Sequence, residues 1–184
     1  MTTESQHYTA TAKWLHWIIA VLIIFLLILG FYMSGLPRGP DKTALVQLHK
    51  SVGIIVLTLA TVRVGWRLRH KPPALPASMS WFLKKATHSI HWTLYLLMFL
   101  QPLSGWVMSS ARGFPVSIAG IIPLPSLVEK DEALAEILKE RHEFLGWALV
   151  LLIIGHVVAA LKHHFVDKDD VLLRMAIRPN KHDT

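Results

Sequence analysis

Four histidines carry the chemistry that this sequence offers. His142 and His156 stand fourteen residues apart in "RHEFLGWALVLLIIGH", where Glu143 is the only charge between them. Fourteen residues are close to four helical turns, so both imidazoles leave nearly one face, about 21 Å apart along the axis. His16 and His49 stand near the starts of two earlier apolar segments. In a chain that runs back and forth, His49 meets His142 at one level and His16 meets His156 at the other. Two opposed neutral imidazoles suit a planar metal macrocycle, whose iron takes one axial nitrogen on each side. The pattern predicts two haem irons, with His16/His156 and His49/His142 as the ligand pairs. A single histidine in a membrane helix serves equally well as an interhelical hydrogen-bonding or interfacial residue. The matching of four by depth and phase favours ligation.

The elements that must position these residues are long and apolar. The 184 residues are 53% hydrophobic and 17% charged, too apolar for an ordinary soluble domain. Residues 14–37 contain no Asp, Glu, Lys or Arg, enough for a membrane-spanning helix. The first apolar run is too long for a signal h-region and is expected to stay in the mature protein. Three further segments follow, giving expected helices over 12–34, 44–69, 86–111 and 136–164. Pro102 falls inside the third and is expected to kink it. The fold expected is all-α, an integral membrane four-helix bundle over 1–184 with two b-type haems between the helices. With no cysteine, covalent c-type attachment, disulfides and iron–sulfur clusters are excluded. The connection 112–135 reads as a longer loop whose "EKDEALAE" end extends the fourth helix.

Charge sets the orientation. Residues 63–85 hold six Lys or Arg and 162–184 hold five, whereas 112–141 hold four against five acids. The bias puts both termini and the middle connection in the cytoplasm of a multi-pass protein. The net charge of +7 is then a topology and lipid signal, not a nucleic-acid one. Arg63, fourteen residues after His49, faces inward at the cytoplasmic level and is a candidate haem-propionate partner, as is Lys50 at the outer level. Gly30 and Gly105, each fourteen residues after a histidine, leave room for a ring edge, although helix packing alone also uses glycine there. His88, His91, His163 and His164 gather near the inner surface. His91 and His163 are the candidates for a quinone oxygen or a proton relay. His7, His70 and His182 lie in tails or a basic loop, and the seven tryptophans read mostly as interfacial.

"KWLHW", "LHKSVG", "QPLSGWVMSSARG", "RHEFLGW" and "LIIGHVVAALKHHFVDKDDVLLRM" together resemble the bacterial cytochrome b561 family of di-haem membrane proteins. The resemblance spans nearly the whole chain. It implies the same four ligands, His16, His49, His142 and His156, two haem b, and location in the bacterial inner membrane. It further implies oxidation of superoxide to dioxygen at the outer side and reduction of ubiquinone within the membrane. Arg38, Lys42, Lys50 and Arg112 would steer the anion, against the opposing acidic "EKDE" run. Two other readings compete. One is an electron-transfer anchor subunit linking a hydrogenase or dehydrogenase to the quinone pool. The other is a histidine-based metal transporter, which would need carboxylates within the membrane that this chain almost lacks.

Overall fold

The computed structural model describes residues 7–118 and 120–177. His182, Arg178 and Lys181 lie outside the described residues. Each helix begins at a residue suited to start it. Helix α1, Ala10–Ser34, opens at Thr9, whose side chain accepts from the Ala12 N–H. Helix α2, Pro40–Arg69, opens on a proline with Asp41 in its first turn, both favoured at a helix N-terminus. Ser80 caps α3, Trp81–Ala111, by accepting from the Leu83 N–H. Asp131 does the same from Leu134 for α4, Glu132–Phe165. Helix α4 ends on Lys162, His163 and His164, basic groups where the backbone dipoles point their negative ends. All four helices start earlier than expected, at 10, 40, 81 and 132. Hydropathy finds the apolar run, whereas the caps lie in the polar stretch before it. Helix α3 continues through Pro102.

Helix α1 packs along α2, α2 on α3, and α3 on α4. Helices α1 and α4 meet through side chains: Phe31 lies 4.8 Å from Trp147, and His16 lies beside His156. The core is an apolar layer of Ile19, Ile23, Val56, Leu97 and Leu149. Its positions have a simple origin. Ile23 is seven residues from His16 and from Gly30, Val56 seven from His49 and Arg63, and Leu149 seven from His142 and His156. Seven residues make about two turns, so this layer separates the two histidine levels. Large apolar side chains such as Val21, Ile28, Leu96, Leu151 and Val158 face outward, the arrangement that lipid favours and water does not.

Helices α1, α2 and α4 are long and apolar enough to cross a membrane. Helix α3 is equally long but carries His88, His91, Gln101, Ser104, Ser109 and Ser110, and it is not among the helices of that apolarity.

One departure from an all-helical reading lies between α3 and α4. Strand β1, Val116–Ile118, pairs antiparallel with β2, Ile122–Leu124, in the register Val116 opposite Leu124. Gly120 turns the hairpin with φ +71°, a conformation that costs glycine little. The hairpin is fastened to α2 and α3. Ser51 donates to the Ser117 carbonyl at 2.7 Å, Lys50 to the Pro115 carbonyl at 3.0 Å, and Trp106 to the Pro125 carbonyl at 3.1 Å.

The opposite, terminal end gathers the start of α1, the end of α2, the 70–80 connection and the segment after α4. Trp66 donates to Thr9, Trp17 to the Met175 carbonyl, and Arg174 to the Ala74 carbonyl.

Candidate functional site

Two histidine pairs face each other across the helices, one near each end. At the hairpin end, the rings of His49 and His142 have centroids 6.3 Å apart and planes at 72°. At the terminal end, His16 and His156 stand 6.2 Å apart, again at 72°. All four residues are half-buried. Two imidazoles that each place a nitrogen about 2 Å from one shared metal would hold their centroids about 6.3 Å apart.

The hairpin-end pair is the more built. A Cβ on Gly105 would lie 3.1 Å from His142 Cε1, and one on Gly30 would lie 3.4 Å from His49 Cε1. Gly105 therefore makes room for the His142 imidazole, while Gly30 meets His49 at ordinary contact distance. Ser104 donates its hydroxyl to the Gln101 carbonyl at 2.8 Å and lies 2.9 Å from His142 Nδ1. With its proton committed, the Ser104 oxygen accepts there. His142 Nδ1 therefore carries the ring proton, and Nε2 keeps the lone pair that a metal needs. The Gln101 amide donates to the His142 carbonyl at 3.0 Å. Buried His49 Nδ1 has no protein partner among the described residues. Cavities of about 150 and about 60 Å³ share His49, His142 and Gly53 in their walls. They are smaller than a porphyrin, so the fit rests on the rings, the glycine cradle and the orphaned nitrogen.

Lys50 and Arg112 line the larger cavity. Lys50 also donates to Ser109 at 3.0 Å. The acidic run beside this entrance is partly answered by its own neighbours. Glu136 meets Lys139 at 2.7 Å and Arg112 at 3.7 Å, and Glu132 meets Lys130 at 3.2 Å.

At the terminal end Arg63 donates to the Ala12 carbonyl at 2.7 Å and approaches His16 Nδ1 at 3.4 Å. His91 lies 5.5 Å from His156, ring to ring. His163 is differently placed. Its Nδ1 meets Asp169 at 2.7 Å and Asp167 at 3.3 Å, at the end of α4. Among the described residues no ring contact or hydrogen bond joins His91 to His163. Ser104, Gln101 and buried Tyr95 escaped the sequence reading. A glutamine within an otherwise uncharged span was the available signal.

The model of the family described as prokaryotic cytochrome b561 matches residues 7–176. The chain belongs to this family. Its relatives include cytochrome b561 homolog 2 of Escherichia coli (strain K12), 34% identical over 95% of this chain and 93% of the relative. The probable superoxide oxidase CybB of Yersinia pestis is 30% identical over 92% and 96%. Cytochrome b562 of Cereibacter sphaeroides is 30% identical over 96% and 99%. Membership of the cytochrome b561 family makes this a bacterial membrane electron-transfer protein and implies b-type haem. The paired imidazoles, the cradling glycines and the fixed His142 tautomer suit that cofactor.

Proposed function

We propose that this chain is a di-haem cytochrome that takes electrons from superoxide at the hairpin end and delivers them to ubiquinone near the terminal end, with both termini cytoplasmic. The observation that carries the proposal is the twin geometry of the histidine pairs, at 6.3 and 6.2 Å. His49 and His142 would hold one haem b and His16 and His156 the other. Bound there, the two groups supply one-electron transfer through the membrane.

The chain's own residues do the rest. Lys50 and Arg112, in the wall of the cavity beside His49 and His142, create a field that draws a small anion inward. The name of the Yersinia pestis relative supports superoxide as that anion. Arg63 can only donate, so in its present contact it accepts nothing from His16. If His16 held the iron through Nε2, that nitrogen would be free of the ring proton, and Arg63 would be the candidate partner for a propionate. Lys50 is the corresponding candidate at the hairpin end. His91, beside His156, is placed to hand a proton to a quinone oxygen. His163, hydrogen-bonded to Asp169 at 2.7 Å and not joined to His91 among the described residues, is a separate candidate for exchanging protons with solvent. All four ligands come from one chain, so a monomer suffices.

The purified chain is expected to hold two haems by haemochrome spectrum, and His142→Ala and His156→Ala to hold one each. Alone, it is expected to consume superoxide with a soluble ubiquinone analogue as acceptor. One haem in the parent overturns the two-site reading. A need for a partner subunit before superoxide is consumed favours the anchor-subunit reading instead.

A further inference from the structure

A cavity of about 270 Å³ opens at the terminal end, outside both histidine pairs. Arg63, Arg67, His70 and Lys71 line it, with Trp66 and Tyr95 as aromatic walls. No carboxylate among the described residues is in its lining. Among the described residues, Arg63, Arg67 and Lys71 take part in no ion pair, whereas Arg112, Arg174 and Lys162 all do.

Aromatic rings hold the two arginines, Arg63 lying 6.0 Å from the Tyr95 centroid. Arg67 lies 5.6 Å from the centroids of both the Trp92 and the Tyr95 rings. Trp66 stacks on His70 at 4.0 Å and 11°, while its indole N–H is tied to Thr9 at 2.8 Å. Ring faces attract a cation without neutralising it. The cluster is therefore gathered in advance and keeps its full charge, and an anion entering it need not displace a carboxylate.

Position narrows the anion. Arg63 to Lys71 covers eight residues of α2 and its exit, a depth of about 12 Å at the helical rise. The headgroup zone is about 5–8 Å deep on each side of a bilayer, so a cavity of this depth spans that zone and reaches below it at Arg63. Arg63 forms the deep wall beside His16, whereas His70 and Lys71 are exposed at the mouth. Basic pockets between helices at this depth recognise lipid phosphates, and Trp and Tyr favour the same zone.

We infer that this cavity binds the phosphate of an anionic phospholipid, with Arg67 and Lys71 as the cations that hold it. The inference rests on the membrane reading, not on the number of haems or on superoxide as donor. Arg63, the candidate partner of a haem propionate, would be left to the cofactor, and Arg67, His70 and Lys71 would serve the lipid. The bound phosphate would neutralise a cationic cluster next to His91 and so keep one lipid in place at the terminal end.

The test uses the haem-loaded protein in nanodiscs of phosphatidylcholine with a minor fraction of phosphatidylglycerol. Native mass spectrometry reads lipid retained per chain, and a haemochrome spectrum reads haem. The parent is expected to retain phosphatidylglycerol in preference to phosphatidylcholine. Arg67→Gln/Lys71→Gln is expected to lose that preference by on the order of tenfold or more, with haem content unchanged. Arg67→Lys should keep most of it. Lys71→Gln alone alters an exposed residue after the helix and should still lower retention, so the double variant's folding does not decide the outcome. Equal retention by parent and variants overturns the inference. So does loss of haem with lipid unaffected, which would give the cavity to the cofactor. So does stabilisation by inorganic phosphate alone equal to that by the lipid, which would make free phosphate the ligand.

Discussion

Ser104 donates its hydroxyl to the Gln101 carbonyl and so accepts from His142. One hydroxyl thus leaves Nε2 of His142 as the nitrogen that a bound haem iron would meet. Partners of this kind commonly change metal affinity by about 10- to 100-fold. Ser104→Ala is expected to weaken the hairpin-end haem by that order and to leave the terminal-end haem unaffected, while Ser104→Thr retains it. Titration of haem into the depleted protein, followed by the absorbance of each site, checks this. Equal affinity in parent and Ser104→Ala would remove the tautomer argument. The histidines were legible in the sequence because each stands in a charge-poor helix at a countable phase. Ser104 was not, since a serine in "QPLSG" becomes informative only once α4 lies across from it.

Among the elements, the segment after α4 is tied down by few bonds, and one responds to acid. The hydrogen bond from Arg174, together with its charge, holds the Asp170 carboxyl below the ordinary aspartate range. The two meet at 2.9 Å, and Arg174 also reaches the Ala74 carbonyl. A depressed folded-state value means that the tie contributes fully above the ordinary range, near about pH 4, and is lost as pH falls through the folded value. Amide exchange of residues 166–177, corrected for intrinsic rate, should therefore accelerate below about pH 4. Asp170→Asn should exchange fast at every pH. A parent segment whose protection ignores that window would show that the ion pair does not hold it. The hairpin is the counterpart at the other end. Its short strands were invisible to a reading tuned to apolar helices, because three-residue strands carry too little alternation to register.

At the scale of the whole molecule, the four helices close weakly on one side. Helices α1 and α4 meet through a few side chains, and most of their apolar surface faces outward. In lipid there is little hydrophobic drive to bring them together. A cofactor gripped by His16 of α1 and His156 of α4 would supply that closure, as would His49 of α2 with His142 of α4. A ligand that binds only the folded state stabilises it by about 4 kcal/mol at a thousandfold excess over its dissociation constant. Haem removal is accordingly expected to lower the thermal midpoint in detergent, and re-addition to restore it. His142→Ala and His156→Ala should each give a smaller drop. A haem-depleted protein that melts with the parent would argue that packing alone holds the helices.

The sequence by itself determined the helices, their membrane setting and the phase of the four histidines, because helical rise and turn are local and every helix repeats them. It also placed the apolar layer at seven-residue offsets from the chemistry. Tertiary structure alone decided that Ser104 lies against His142, that a hairpin closes one end, and that Arg67 and Lys71 share a cavity with no carboxylate in its lining among the described residues. Each of these depends on residues distant in the chain meeting across a gap of a few ångströms, and that meeting is governed by packing between helices, not by any single helix.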